Sequence, residues 1–267
     1  MPTKKERDEY LRGLNPIDDL MFRKMAEHRE FCEEILRVIL DDYELVVTDN
    51  MQQFDLKNLQ GRSVVLDAKC ITGDGRYINI EVQKANDDNH LKRVRYNASV
   101  LTANVTETGK QFEFVPDICI IFISAFDLFK GNLPLYHVVK TVKETGQVIE
   151  DGLTEIYVNA AVDDGSKLAK LMKVFTTNDA YDEADFPITS EIKARFKKDE
   201  GGTVKMDATL QKWMQESEEI GEKRGEKRGR EEGAKIIAKT MIEEGLPTEL
   251  IMRYTGLSED VVVALQG

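Results

Sequence analysis

The chain has little of what builds disulfide-stapled and metal-stapled folds. Its 267 residues include three cysteines, Cys32, Cys70 and Cys119, and three histidines. The cysteines form no CxxC pair, have no histidine at ligand spacing and are odd in number. Neither a disulfide framework nor a zinc site is therefore expected, and buried, reduced thiols in a reducing cytoplasm are. Long apolar runs are missing as well. The most hydrophobic stretch, ICIIFISAF at 118–126, is far shorter than a membrane span, and the opening MPTKKERDEYLRG has no apolar core for export. Positive charge is also short, with 37 Lys and Arg against 49 Asp and Glu and a net charge of −12. That balance excludes a broad, passive attraction to nucleic acid; such binding needs local basic clusters or metal ions that offset the acidic field.

What remains, 41% hydrophobic and 32% charged residues, suits one substantial core plus an appendage. Apolar spacing predicts helices in PIDDLMFRKMAEH (16–28) and REFCEEILRVILDD (29–42), with Asp18 or Asp19 as a first-turn acid in the former. Two β-rich runs follow, VVLDAKCIT and RYINIEVQKA, then a helical NDDNHLKRVRYNASVLTANV. DICIIFIS is continuously apolar, as expected of a central strand covered on both faces. YHVVKTV and TEIYVNAAV read as an outer strand pair and GSKLAKLMKVFTT as a helix. The order predicts an α/β fold over residues 1–204, one mixed sheet with helices on both sides.

From about residue 205 the chain is helix-forming, yet Gly221, Gly225, Gly229 and Gly233 recur every four residues. Each costs a helix interior about 1 kcal/mol relative to alanine. Residues 205–240 are thus either a helix whose glycine face meets another helix, most simply in a homodimer, or a charged, solvated linker. The tail, 241–267, has two short amphipathic segments around Thr255-Gly256-Leu257, with Ser258 as an N-cap, the spacing of a small helix-turn-helix or a helical hairpin.

Candidate chemistry centres on VVLDAKCITGDGRYINIEVQKA at 64–85. If residues 73–75 form a three-residue loop with a left-handed glycine, Thr72 opposes Arg76 and Asp67 opposes Glu81. Gln83 and Lys69 then share the face of the two acids, and Lys84 lies on the other. A loop one residue shorter or longer separates the acids. Acids on the solvent face of a hairpin are common, but here Val65, Leu66, Ile78, Ile80 and Val82 require at least one face to be buried. Opposed like charges destabilise a strand pair unless a cation lies between them, and a few oxygen ligands suit Mg²⁺ or Mn²⁺. The next helix supplies Lys92, Arg93, Arg95 and Tyr96, either a solvated face or a phosphate grip. His90 at its head is a possible base but more often such a residue is a cap.

Asp67, followed fourteen residues later by Glu81-Val82-Gln83, resembles the D…(E/D)xK signature of the PD-(D/E)XK nuclease superfamily in an ExQ form. More specifically, the chain resembles the Rpn-type recombination-promoting nucleases, a transposase-like group. The likeness extends to Asp19-Leu20-Met21-Phe22-Arg23, to Arg93–Tyr96, to the central strand, to the glycine-periodic segment and to Thr255-Gly256-Leu257-Ser258. It implies a restriction-endonuclease-like fold and metal-dependent hydrolysis of DNA phosphodiester bonds. Asp67 and Glu81, with the Val82 carbonyl, would hold Mg²⁺ or Mn²⁺, and Gln83 would replace the usual lysine. Lys69 would then compensate the missing charge, and Glu34 would complete the acid cluster. The other expectations are a nuclease-fold interaction protein without catalysis, which the acidic charge favours, and a nuclease acting on RNA.

Overall fold

The computed structural model describes residues 3–56, 64–198 and 200–266. Two compact units divide the chain, Met1–Asp207 and Ala208–Gly267.

The first unit opens with three helices, α1 (Lys4–Gly13), α2 (Asp19–Met25) and α3 (Arg29–Ile39). Strands β1 (Val47–Leu56), β2 (Val64–Thr72) and β3 (Tyr77–Gln83) follow, then α4 (His90–Val105) and β4 (Ile118–Ser124). The rest comprises β5 (Leu135–Val138), a ribbon of β6 (Lys140–Thr141) and β7 (Val148–Ile149), β8 (Leu153–Asn159), α5 (Lys167–Thr176) and α6 (Pro187–Lys198). The main sheet runs β1-β2-β3-β4-β8-β5. β3, β4 and β8 are mutually parallel, and β1, β2 and β5 pair antiparallel at the two ends. This is the mixed sheet of a restriction-endonuclease-like α/β fold.

β4 lies inside the sheet and is buried at every residue, which is why its sequence is apolar without alternation. Leu66, Ile118, Ile120, Phe122 and Tyr157 meet Val94, Ala98 and Leu101 of α4 on one face. On the other side, Phe22 of α2 packs against Phe31 of α3 and Phe175 of α5, with ring centroids 5.9 and 6.4 Å away. YHVVKTV divides: β5 edges the sheet beside β8, whereas Lys140–Thr141 joins the separate ribbon.

Elements of this unit that escape the sequence pattern include α1, β1, α6 and the two-residue β7. In α1 the only buried residue is Leu11, so apolar periodicity is nearly absent, and a Thr3/Glu6 capping box starts the helix instead. β1 reads VTDNMQQFDL, polar enough to pass for a loop, and finds its partner only in β2. α6 is short of apolar residues because Lys193 and Thr189 are among those it buries.

α7 (Glu200–Glu243) is one continuous helix that passes through the glycine repeat, and α8 (Thr248–Thr255) and α9 (Glu259–Gln266) follow it. In the second unit Ala238, Ile251 and Val262 form a small buried centre, with Met241, Leu246, Met252 and Leu257 packed around it. The small centre therefore joins α8 and α9 to the end of α7. Gly256 ends α8 at φ +70°, a left-handed turn that glycine adopts without strain.

Candidate active site

The hairpin register is set by its loop. Gly75 takes φ +87°, and the Thr72 amide donates to the Arg76 carbonyl at 3.1 Å, closing a loop over 73–75. Ala68 then opposes Ile80, Lys69 opposes Asn79 and Ile71 opposes Tyr77. One step further, where this ladder ends, stand Asp67 and Glu81. Instead of continuing the strand pairing, the Asp67 carboxylate itself accepts the Val82 amide at 3.3 Å.

Both acids are almost fully buried, with side-chain exposures of 3% for Asp67 and 1% for Glu81. Helices on the two faces of the sheet supply their partners. From α2, Arg23 brings Nη2 to 2.7 Å and Nε to 3.1 Å from Asp67 Oδ1, while its Nε also pairs with Asp19 Oδ1 at 2.6 Å. From α4, Asn97 donates to Glu81 Oε1, which also accepts Asn79 Nδ2 at 2.8 Å. Arg93 places Nε 3.5 Å from Glu81 Oε2 and donates Nη1 to Gln83 Oε1 at 2.9 Å. Glu81 Oε2 is buried and accepts no hydrogen bond.

Burial, and then the Asp67 charge, push the Glu81 carboxyl upward, against the pull of Arg93, Asn79 and Asn97. Asp19 is pushed up to about 7 by surrounding protein and then by Asp67. Its side chain keeps 46% exposure, so water offsets much of the first cause and carboxylate repulsion weighs more.

Other sequence candidates take different places. The Glu34 carboxylate accepts the amides of Ile188 and Thr189 at 3.1 and 2.8 Å, so it caps the first turn of α6 and does not join the acids. Lys69 seats its ammonium 5.1 Å from the centre of the Tyr77 ring, and the cations on the acids are Arg23 and Arg93. Gln83 is held in place by Arg93 and by donating Nε2 to the Ala85 carbonyl at 2.9 Å. Lys84 pairs with Asp18 at 2.8 Å. Lys92 and Arg95 are exposed on α4, whereas Tyr96 packs against the buried cluster beneath it. His90 is buried between Phe122 and Phe126, at 5.4 and 5.2 Å, and neither ring nitrogen has a hydrogen-bond partner among the described residues, so its ring is placed as packing.

Asn79, Asn97 and the Arg23 clamp are site residues that the hairpin pattern alone does not point to. The signals are spacings: Asn97 is four residues after Arg93, Arg23 four after Asp19, and Asn79 two before Glu81.

A model of the PD-(D/E)XK nuclease family transposases matches residues 18–176. The chain belongs to that family. A second model, the C-terminal HTH domain of the Rpn/YhgA-like nuclease family, matches residues 231–267. No match is found among curated proteins or solved structures. Nucleases of this kind generally use divalent metals. Among the described residues no group of three or more His, Cys, Asp or Glu side chains forms a metal cage. The donor set is instead two buried carboxylates, one with an unsatisfied oxygen. Such oxygens fit a hard divalent cation, with Arg23 as the competitor for Asp67.

Proposed function

We propose that the chain is an endonuclease that hydrolyses DNA phosphodiester bonds with Mg²⁺ or Mn²⁺, and that its cuts promote recombination or transposition-like rearrangement. The observation that carries this reading is the buried Asp67 and Glu81 pair at the end of the β2/β3 ladder, with Glu81 Oε2 left unsatisfied. A buried carboxylate oxygen that accepts no hydrogen bond is costly to keep charged, and Arg93 at 3.5 Å offsets only part of that cost. Asp67, Glu81 and the Val82 carbonyl would hold the metal. When bound, it supplies charge against the phosphate oxygens and eases deprotonation of a water.

The chain's own groups do the rest. Asn79 and Asn97 fix Glu81 by Oε1 and leave Oε2 available. Arg93 offsets negative charge beside Glu81 and aligns Gln83, whose neutral amide can orient a water but adds no positive charge. Lys92 and Arg95, exposed on the same helix, suit flanking phosphates. DNA as the substrate draws support from the C-terminal HTH match.

A second reading, an interaction protein that keeps the fold without catalysis, draws on the Arg23 clamp, which neutralises Asp67 without a metal. Nicking of supercoiled plasmid by wild type and by Glu81→Gln separates the two. Loss of nicking in the variant is the expected result; equal nicking by both, or none by wild type in either metal, contradicts the nuclease reading.

A further inference from the structure

A depression of about 490 Å³ in the first unit is lined by Lys4, Asp8 and Arg12 of α1, Lys197 and Lys198 of α6, and Val204 and Asp207. Its charge opposes that of the molecule. Four cations face two acids, and Asp207 is already paired with Arg7 at 2.6 Å. In a chain of net charge −12 this is a local basic surface of the kind that binding a polyanion requires. Among the described residues, none of the four cations has an ion-pair partner within 4.0 Å. Lys4, Arg12 and Lys198 are exposed.

Hydrogen bonds connect this surface to the candidate active site. Lys197 Nζ donates to Asn15 Oδ1 at 3.1 Å, and the Asn15 amide donates to Asp18 Oδ2 at 2.9 Å. Asp18 Oδ1 accepts Lys84 Nζ at 2.8 Å, directly after Gln83. Asp19, next in sequence, is tied through Arg23 to Asp67. The depression and the candidate active site are thus linked through Asn15, Asp18 and Lys84.

We propose that this depression is an accessory site for the phosphate backbone of duplex DNA, gripping the substrate beyond the cleaved bond. The inference rests on the nuclease reading for its orientation, but its test does not need cleavage. The neutral triple variant Lys4→Gln, Arg12→Gln, Lys198→Gln leaves Lys197, with its bonds to Asn15 and Asn178, untouched. A control removes the same charge elsewhere, with Lys110→Gln, Lys143→Gln and Lys173→Gln. Affinity for a fluorescent 40-base-pair duplex is measured in Ca²⁺ at several KCl concentrations, with thermal melts to show that each variant is folded. Each lost phosphate contact lowers the log–log salt slope by about 0.9. The depression variant is expected to lose about 2 to 3 from the slope and at least about tenfold in affinity near 0.1 M salt, and the control much less.

An unchanged slope, an equal loss in the control, undetectable binding by wild type, or tighter binding of wild type to duplex RNA of the same sequence overturns the proposal. Plasmid cleavage is scored separately. A wild type that binds through the depression yet cuts nothing upholds this site and sinks the nuclease reading.

Discussion

Glu81 has almost no solvent, a neighbouring carboxylate and two amides on one of its oxygens. Its folded-state pKa lies above the unfolded one. Across that window the unfolded chain has released a proton that the folded chain still holds, so stability falls as pH rises. Glu81→Gln removes this dependence. In EDTA its Tm relative to wild type should rise as pH rises, and a relative Tm that falls with pH rejects the burial argument. Asp67→Asn differs, because it weakens the Arg23 clamp and should lower stability by about 1 to 3 kcal/mol. Arg93 touches both Glu81 and Gln83, whereas Lys92 and Arg95 do not. Arg93→Gln should therefore reduce cleavage by 10²-fold or more, roughly 3 kcal/mol, and Lys92→Gln or Arg95→Gln about tenfold or less at low salt. Equal losses in all three would make Arg93 another phosphate contact. The acids are legible as candidates because loop length and strand alternation bring them to the same end of the hairpin, but the expected Asp67–Glu81 pairing is not in the ladder, which stops at Ala68 and Ile80. The hydrogen-bond partners of the acids are not legible, since α2 and α4 reach them only by packing on the sheet.

Among the elements, those with strong apolar periodicity or continuous burial, α3 and β4 above all, follow from sequence pattern. The polar edge strand β1 and the helices α1 and α6 do not: β1 reads VTDNMQQFDL, α1 buries Leu11 alone, and α6 buries Thr189, Ser190 and Lys193 beside Ile192 and Phe196. Glu34 shows how this limits a reading of single residues. Its partners lie 154 and 155 positions along the chain, on a helix with no clear pattern of its own. Glu34→Ala should cost about 1 kcal/mol as a lost cap, a Tm drop of roughly 2–4 °C in a domain of this size, with cleavage per folded molecule unchanged. Lost cleavage at an unchanged Tm would return Glu34 to the active site. In α7, a Cβ added to Gly225, Gly229 or Gly233 meets nothing within 4 Å, so larger side chains there disturb no contact seen within the chain. The homodimer expected from the glycine spacing has a direct test. Gly225→Leu with Gly229→Leu should abolish self-association seen by sedimentation, and the alanine pair should be far milder. Equal masses for wild type and the leucine variant would leave a monomer.

For the molecule as a whole, acidic charge and nucleic-acid chemistry are compatible only if cations are placed locally. Arg93 beside the acids, Lys92 and Arg95 on α4, and the basic depression by α1 and α6 meet that requirement. No helix among the described residues is long and apolar enough to cross a membrane. The central claim is that Asp67 and Glu81 hold a divalent cation for phosphodiester hydrolysis. Its most direct test is supercoiled plasmid incubated with wild type or Asp67→Ala in Mg²⁺, Mn²⁺, Ca²⁺ or EDTA, both proteins folded by their melts. Nicked and linear products from wild type in Mg²⁺ or Mn²⁺ alone, and none from the variant, are the predicted result; cleavage that survives EDTA or the loss of Asp67 would contradict it.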